Sequence, residues 1–142
     1  MKNRLRQYDL IVLIQVLEHL PSSLYFPVLK KLYSRLKNEG LILIVVPNAN
    51  NPLGLTERYG DLQHQNAFTE QSLKDLAIGS GISNCGIDIK GYSIPPYSLI
   101  NVVRIIFQKI LHLFLLMIMV INGGTYFKEM SPNITLIIKN KS

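Results

Sequence analysis

The fold is decided by the stretch Tyr8-Asp-Leu-Ile-Val-Leu-Ile-Gln-Val-Leu-Glu-His-Leu-Pro21, together with Gly40-Leu-Ile-Leu-Ile-Val-Val-Pro-Asn48. Two apolar runs, Leu10–Val16 and Leu41–Val46, carry no polar residue on either face apart from Gln15. A strand wetted on one side alternates between apolar and polar residues. A strand covered on both sides does not, and such strands belong to parallel α/β sheets. The segment between the runs is long enough for a crossover helix, so the pair predicts a right-handed βαβ unit. Ligands of such sheets sit beyond the carboxyl ends of the strands. Those ends carry Gln15, Glu18 and His19 on one strand and Pro47, Asn48 and Asn50 on the other.

Working outward, Ser22 and Ser23 can cap a helix with the core stripe Tyr25, Val28, Leu29, Leu32 and Leu36. Lys30, Lys31, Ser34 and Arg35 take its wet face. Pro27 lacks a backbone donor, which places the regular start of the helix at that residue. Gly40 reads as a left-handed cap that releases the chain into the second strand. After Pro47 a long loop rich in Asn, Pro and Gly runs to about Asn66, and loops of this length tend to be functional. Thr69 is the N-cap of a second helix, with Phe68 and Leu73 at the spacing of a hydrophobic staple. Gly79 and Gly81 stop that helix. Cys85, Ile87 and Ile89 alternate with polar or small residues as a half-buried strand, and Ile134, Leu136 and Ile138 form another.

At 142 residues the chain is one domain or part of one, and it can bury about two-thirds of its unfolded surface. The net charge of +6 is scattered. With no basic cluster and no recognisable module, nucleic-acid binding is excluded. The single cysteine rules out an internal disulfide framework and fits a reducing cytosol; it reads as a buried, inert thiol. Met1 to Arg6 followed by an apolar run imitates a secretion signal, but Asp9 and Glu18-His19 interrupt it and no cleavage site follows. The Asn133-Ile-Thr135 sequon then falls inside a strand with no glycan to carry.

Residues 95–122 form a hydrophobic helical insert. From Leu99 to Ile121 the chain is almost wholly apolar, which raises a transmembrane span. Arg104, Gln108, Lys109 and His112 instead lie on one polar stripe, and a charged side chain deep in a bilayer costs about 3 kcal/mol. The segment therefore reads as one or two amphipathic helices that cap a site or lie in a membrane interface, with a single-span anchor as the alternative.

The motifs Y-D-x-I…V-L-E-H-L-P, L-K-x-x-G-x-L-x-I-x-V-P-N and G-D…H…F-T occur in order between Tyr8 and Ile82. This pattern resembles the C-terminal part of a class I S-adenosylmethionine-dependent methyltransferase, of the group with the ubiquinone-pathway O-methyltransferases and the polysaccharide-cluster methyltransferases. The resemblance implies an α/β fold over residues 1–142: a partial Rossmann-like sheet with two parallel strands, a crossover helix and a C-terminal antiparallel pair. It implies methyl transfer from S-adenosylmethionine to a hydroxyl of a small-molecule or saccharide acceptor. His19 and His64 are then candidate bases, since a histidine ionises near neutral pH; the alternative is that Glu18 and His19 open a helix and bond locally.

By the same resemblance Gln15 and Val16 lie beside the donor, and Asn48, Tyr59 and Asp61 are acceptor-side candidates. For Asn48 and Asp61 a plain turn role is equally open. Some relatives bind a divalent metal through residues matching Glu18, His19 and His64, with a carboxylate where this chain has Gln15; that replacement weighs against a hard ion such as Mg²⁺. The glycine-rich donor-binding turn of the family has no counterpart here, because Gly79-Ser-Gly81 and Gly123-Gly124 follow helices and not strands. The expectation is a fragment that needs a missing N-terminal half or a partner chain, that binds the donor weakly alone, and that is cytoplasmic or membrane-associated. The competing readings are a non-catalytic methyltransferase-like module paired through a bare strand edge, and a membrane-surface protein.

Overall fold

A computed structural model describes residues 6–92, 95–124 and 129–141. Four strands form one mixed sheet in the order β1-β2-β4-β3, where β1 is Tyr8–Ile14, β2 Leu36–Pro47, β3 Ile87–Gly91 and β4 Asn133–Lys139. β1 and β2 are parallel, in register from Leu10↔Leu41 to Ile14↔Val45. β4 runs antiparallel to both β2 and β3. The expected parallel pair and the antiparallel C-terminal pair are both present, and β4 joins them. Because β4 opposes both neighbours, β1, β2 and β3 all end at the same edge of the sheet.

Between β1 and β2 the chain forms α1, Tyr25–Tyr33, and α2 is the short helix Leu55–Tyr59. α3, Glu70–Gly79, precedes β3, and α4, Leu99–Ile121, lies between β3 and β4. The core occupies one face of the sheet. Ile42, Ile44 and Val46 of β2 and Ile134, Leu136 and Ile138 of β4 point there, against Leu29 of α1 and Leu73, Leu76 and Ala77 of α3. Thr69 caps α3: its hydroxyl accepts from Ser72 N at 3.1 Å, while Ser72 Oγ accepts from Thr69 N at 2.8 Å. Phe68 and Leu73 both join the core. Gly79 lets Phe26 of α1 approach, and Gly81 turns out of the helix at φ +85°.

Several sequence expectations are corrected. Leu10–Val16 is not covered on both faces: among the described residues Leu10, Val12 and Ile14 lie about half exposed on the sheet face away from α1 and α3, and Ile11 and Leu13 only edge the core. An all-apolar strand signals two covered faces only when the covering elements are present. Ser22–Leu24 is a 3-10 turn without a side-chain cap, and α1 begins at Tyr25. Pro27 is tolerated there because first-turn N–H groups have no partner within the helix. Leu36 is buried in β2 and not on the helix stripe. The left-handed residue is Glu39, at φ 61°, and Gly40 is not among the positive-φ residues. Cys85 is exposed and sits in a 3-10 turn ahead of β3, its Sγ 3.2 Å from Ser83 Oγ. The insert, expected as one or two helices, is a single one.

Gly40 serves close approach instead. The pairing of β1 with β2 jumps between Tyr8↔Leu36 and Leu10↔Leu41. A Cβ on Gly40 would lie 2.9 Å from the Lys37 carbonyl oxygen and 3.1 Å from that of Tyr8. Both obstacles are backbone, so Gly40→Ala is expected to destabilise the fold by about 1–3 kcal/mol in chemical denaturation.

Candidate functional site

The site forms where β1 ends. Gln15 leaves the strand at φ 53°, a left-handed conformation that turns the chain sharply. Its N–H still bonds Val45 O at 3.0 Å, and its side-chain Nε2 donates to Asn133 Oδ1 at 3.1 Å. Leu17–His19 then make one 3-10 turn, with Leu17 in the core and Glu18 fully buried beside it. The loop after β2 returns to this turn. Gln65 N donates to Glu18 O at 2.9 Å, Asn66 Nδ2 donates to Tyr25 Oη at 2.8 Å, and Tyr25 packs edge-on against Phe68. These three anchors carry His64 onto His19, with ring centroids 4.7 Å apart.

A Glu18 carboxylate oxygen and one ring nitrogen from each of His19 and His64 lie within 4.8 Å of one another. Neither Glu18 oxygen has a hydrogen-bond partner, and buried His19 Nδ1 has none. Buried polar atoms are nearly always paired, so an unpaired buried carboxylate next in sequence to an unpaired ring nitrogen is unusual. Burial pushes the Glu18 carboxyl above its ordinary value; its own backbone N–H, His19 and His64 pull the other way without cancelling this. His64 Nδ1 lies 3.3 Å from Arg58 O.

The three groups suit a divalent ion. Ligands about 2.1 Å from one ion sit roughly 3–4 Å apart, so closing on it needs only small movements. Two imidazoles and one carboxylate favour Zn²⁺, Mn²⁺ or Fe²⁺ over Mg²⁺. Gln15 takes no part in the cluster, since its amide is held by Asn133.

The other expected residues are placed differently. Val16 is exposed beside the turn. Asn48 is buried: its Nδ2 donates to Glu129 O and Ser131 O, both at 2.9 Å, and its Oδ1 accepts from Asn50 N at 3.0 Å. Its amide thus ties the end of β2 to the approach to β4. Tyr59 is exposed at the end of α2, with the Arg58 guanidinium 5.0 Å above its ring. Asp61 Oδ1 accepts from Gln63 N at 2.8 Å, an Asx turn that shapes the approach to His64. Sequence reasoning missed the positioning residues Tyr25, Gln65, Asn66 and Asn133. The anchors at Gln65 and Asn66 pair residues more than 40 positions from their partners, and no local spacing signals that.

Comparison with known proteins bears on the family and the fold. A family model described as a methyltransferase domain matches residues 2–104. No curated protein matches the chain. A crystal structure of an SAM-dependent methyltransferase from Archaeoglobus fulgidus is similar, with TM-score 0.60 and 20% identity, over 94% of this chain and 60% of that one. A protein of Nostoc punctiforme named as an O-methyltransferase superposes with TM-score 0.55 and 14% identity, over 96% of this chain and 32% of that one. The chain thus spans less than two thirds of the length of either. With a family match from residue 2 to residue 104 and a sheet that follows the same fold, the chain belongs to the methyltransferase-domain family.

Proposed function

We propose that the chain is the acceptor-side part of an S-adenosylmethionine-dependent methyltransferase acting on a hydroxyl of a small-molecule or saccharide-type acceptor. The observation that carries this reading is the buried, unpartnered Glu18 carboxylate gathered with His19 and His64 at the ligand end of β1. The donor supplies a methyl group already activated on a sulfonium. As the acceptor oxygen bonds that carbon, the carbon–sulfur bond breaks, and the hydroxyl proton must leave. His19 or His64 takes it, and Glu18 beside them stabilises the imidazolium that results. Gln15, fixed by Asn133, and Val16 border the donor; Tyr59 and Asp61 form the acceptor-side rim, with Asn48 holding the base of their loop.

The orphaned atoms favour a second reading of the same cluster, in which Glu18, His19 and His64 hold a divalent ion. Glu18, His19 and His64 would hold such an ion, which would lower the pKa of an acceptor hydroxyl.

The described residues supply no glycine-rich strand–turn–helix for the donor. Among the described residues β1 is an edge strand with a half-exposed face, which suits further strands and helices, whether from a preceding N-terminal half or from a partner chain. We place the protein in the cytoplasm. The test is transfer of labelled methyl from S-adenosylmethionine to phenol, catechol and saccharide hydroxyls by the chain completed with a donor-binding half, with and without chelator. Hydroxyl labelling is the expected result. Labelling of amines or carboxylates in preference to hydroxyls, or no labelling where donor binding is measured, overturns the proposal. Loss of labelling with chelator selects the metal reading.

A further inference from the structure

α4 is built inside out for a water-facing helix. Its 23 residues include no residue that is fully buried, and its length and composition suffice to cross a membrane. Its half-buried side is mixed: Gln108 and His112 lie there among Ile105, Leu115, Leu116 and Met119, and Ile105, Gln108, Lys109 and His112 border a cleft of about 460 Å³ against Gly91, Glu129 and Ser131. The opposite face is apolar from end to end. At 100° per residue, Leu99, Val103, Ile106, Ile110, Phe114 and Met117 fall on one stripe, and each is about half exposed or more. Arg104 and Lys109, both exposed, project on opposite flanks of that stripe. The helix carries no acidic residue, and the chain has a net charge of +6.

We propose that α4 is a membrane-docking helix that lies in the plane of an anionic bilayer surface. Its apolar stripe enters the acyl boundary, Arg104 and Lys109 reach the headgroups on either side, and Gln108 and His112 stay turned toward the protein. A spanning arrangement fits less well, because Arg104, Gln108, Lys109 and His112 would all enter the hydrocarbon. Tyr97, almost fully exposed just before the helix, suits the headgroup level. Charge complementarity selects the occupant: a lipid surface bearing phosphate satisfies both the stripe and its flanking cations. The inference stands independently of the methyl-transfer reading, since it uses none of the residues at the β1 end.

The experiment is flotation of the full chain with vesicles of phosphatidylcholine alone or mixed with phosphatidylglycerol. Flotation is expected with the mixed vesicles and reversed by alkaline carbonate. Ile106→Glu combined with Ile110→Glu should abolish it, with unchanged far-UV circular dichroism because both positions are exposed. Arg104→Gln and Lys109→Gln should each weaken binding to the mixed vesicles about fivefold. Three results would overturn the proposal: no flotation of the wild-type chain with either vesicle, resistance to carbonate as a spanning helix would show, or a sedimenting dimer that the Glu variant dissociates while neither protein floats.

Discussion

Replacing His19 by Gln, in the chain completed with a donor-binding half, is expected to lower the turnover of hydroxyl methylation by about 10²–10⁴-fold while leaving donor affinity close to wild type. His19 belongs to the cluster, with buried Glu18 beside it in sequence and the ring of His64 4.7 Å away. Its Nδ1 is buried without a partner, so the imidazole is not committed to holding the fold together. Glutamine keeps polarity and approximate size but cannot take a proton near neutral pH. Rescue of the variant by added imidazole would identify His19 as the base. Loss of metal-induced stabilisation without imidazole rescue would identify it as a ligand. A variant with near-wild-type turnover would remove His19 from the chemistry altogether.

Glu18→Gln should act on stability even where no turnover is measured. In metal-free protein the wild-type carboxylate is buried without a hydrogen bond, and an uncompensated buried polar group costs about 1–3 kcal/mol, more when charged. The folded-state pKa is raised above its ordinary value of 4.5, so between the two values the native state binds more protons than the unfolded chain. Stability from this group is therefore present below the ordinary value and lost as pH rises through the folded value. With chelator, the variant should melt higher than wild type near pH 8 and close to it at pH 4. A divalent ion at a hundredfold excess over its Kd should stabilise the wild type by about 2.7 kcal/mol and the variant by far less. Equal melting at pH 8 with equal response to Zn²⁺ and Mn²⁺ would remove Glu18 from any ion site.

Local rules made much of this molecule legible. Parallel β1 and β2, the Thr69 cap and antiparallel β3 and β4 each follow from apolar runs and polar residues at their ends. The approach of His64 to His19 follows from both lying past the carboxyl ends of neighbouring strands, although the contact itself depends on Gln65 and Asn66 finding Glu18 and Tyr25. What composition could not show was context. Leu10, Val12 and Ile14 look like a covered strand because apolarity records what a surface needs, not whether the covering elements are at hand. Gly40 next to Glu39 looks like a helix cap because glycine suits both positive φ and tight contact, and only the pairing of β1 with β2 shows that the second applies. Asn48 could be turn or ligand until its three backbone partners were known.

The long loop after β2 is closed at its neck. Asn48 pairs with Phe68 as an isolated bridge, and Ala49 N donates to Phe68 O at 2.8 Å. The intervening segment is thus a cassette whose two ends are welded to the core. Doubling such a loop's length adds only about 0.6 kcal/mol of closure entropy. The portion around α2 can therefore change in length at little cost in stability, while the corner formed by Glu18, His19 and His64 keeps its shape.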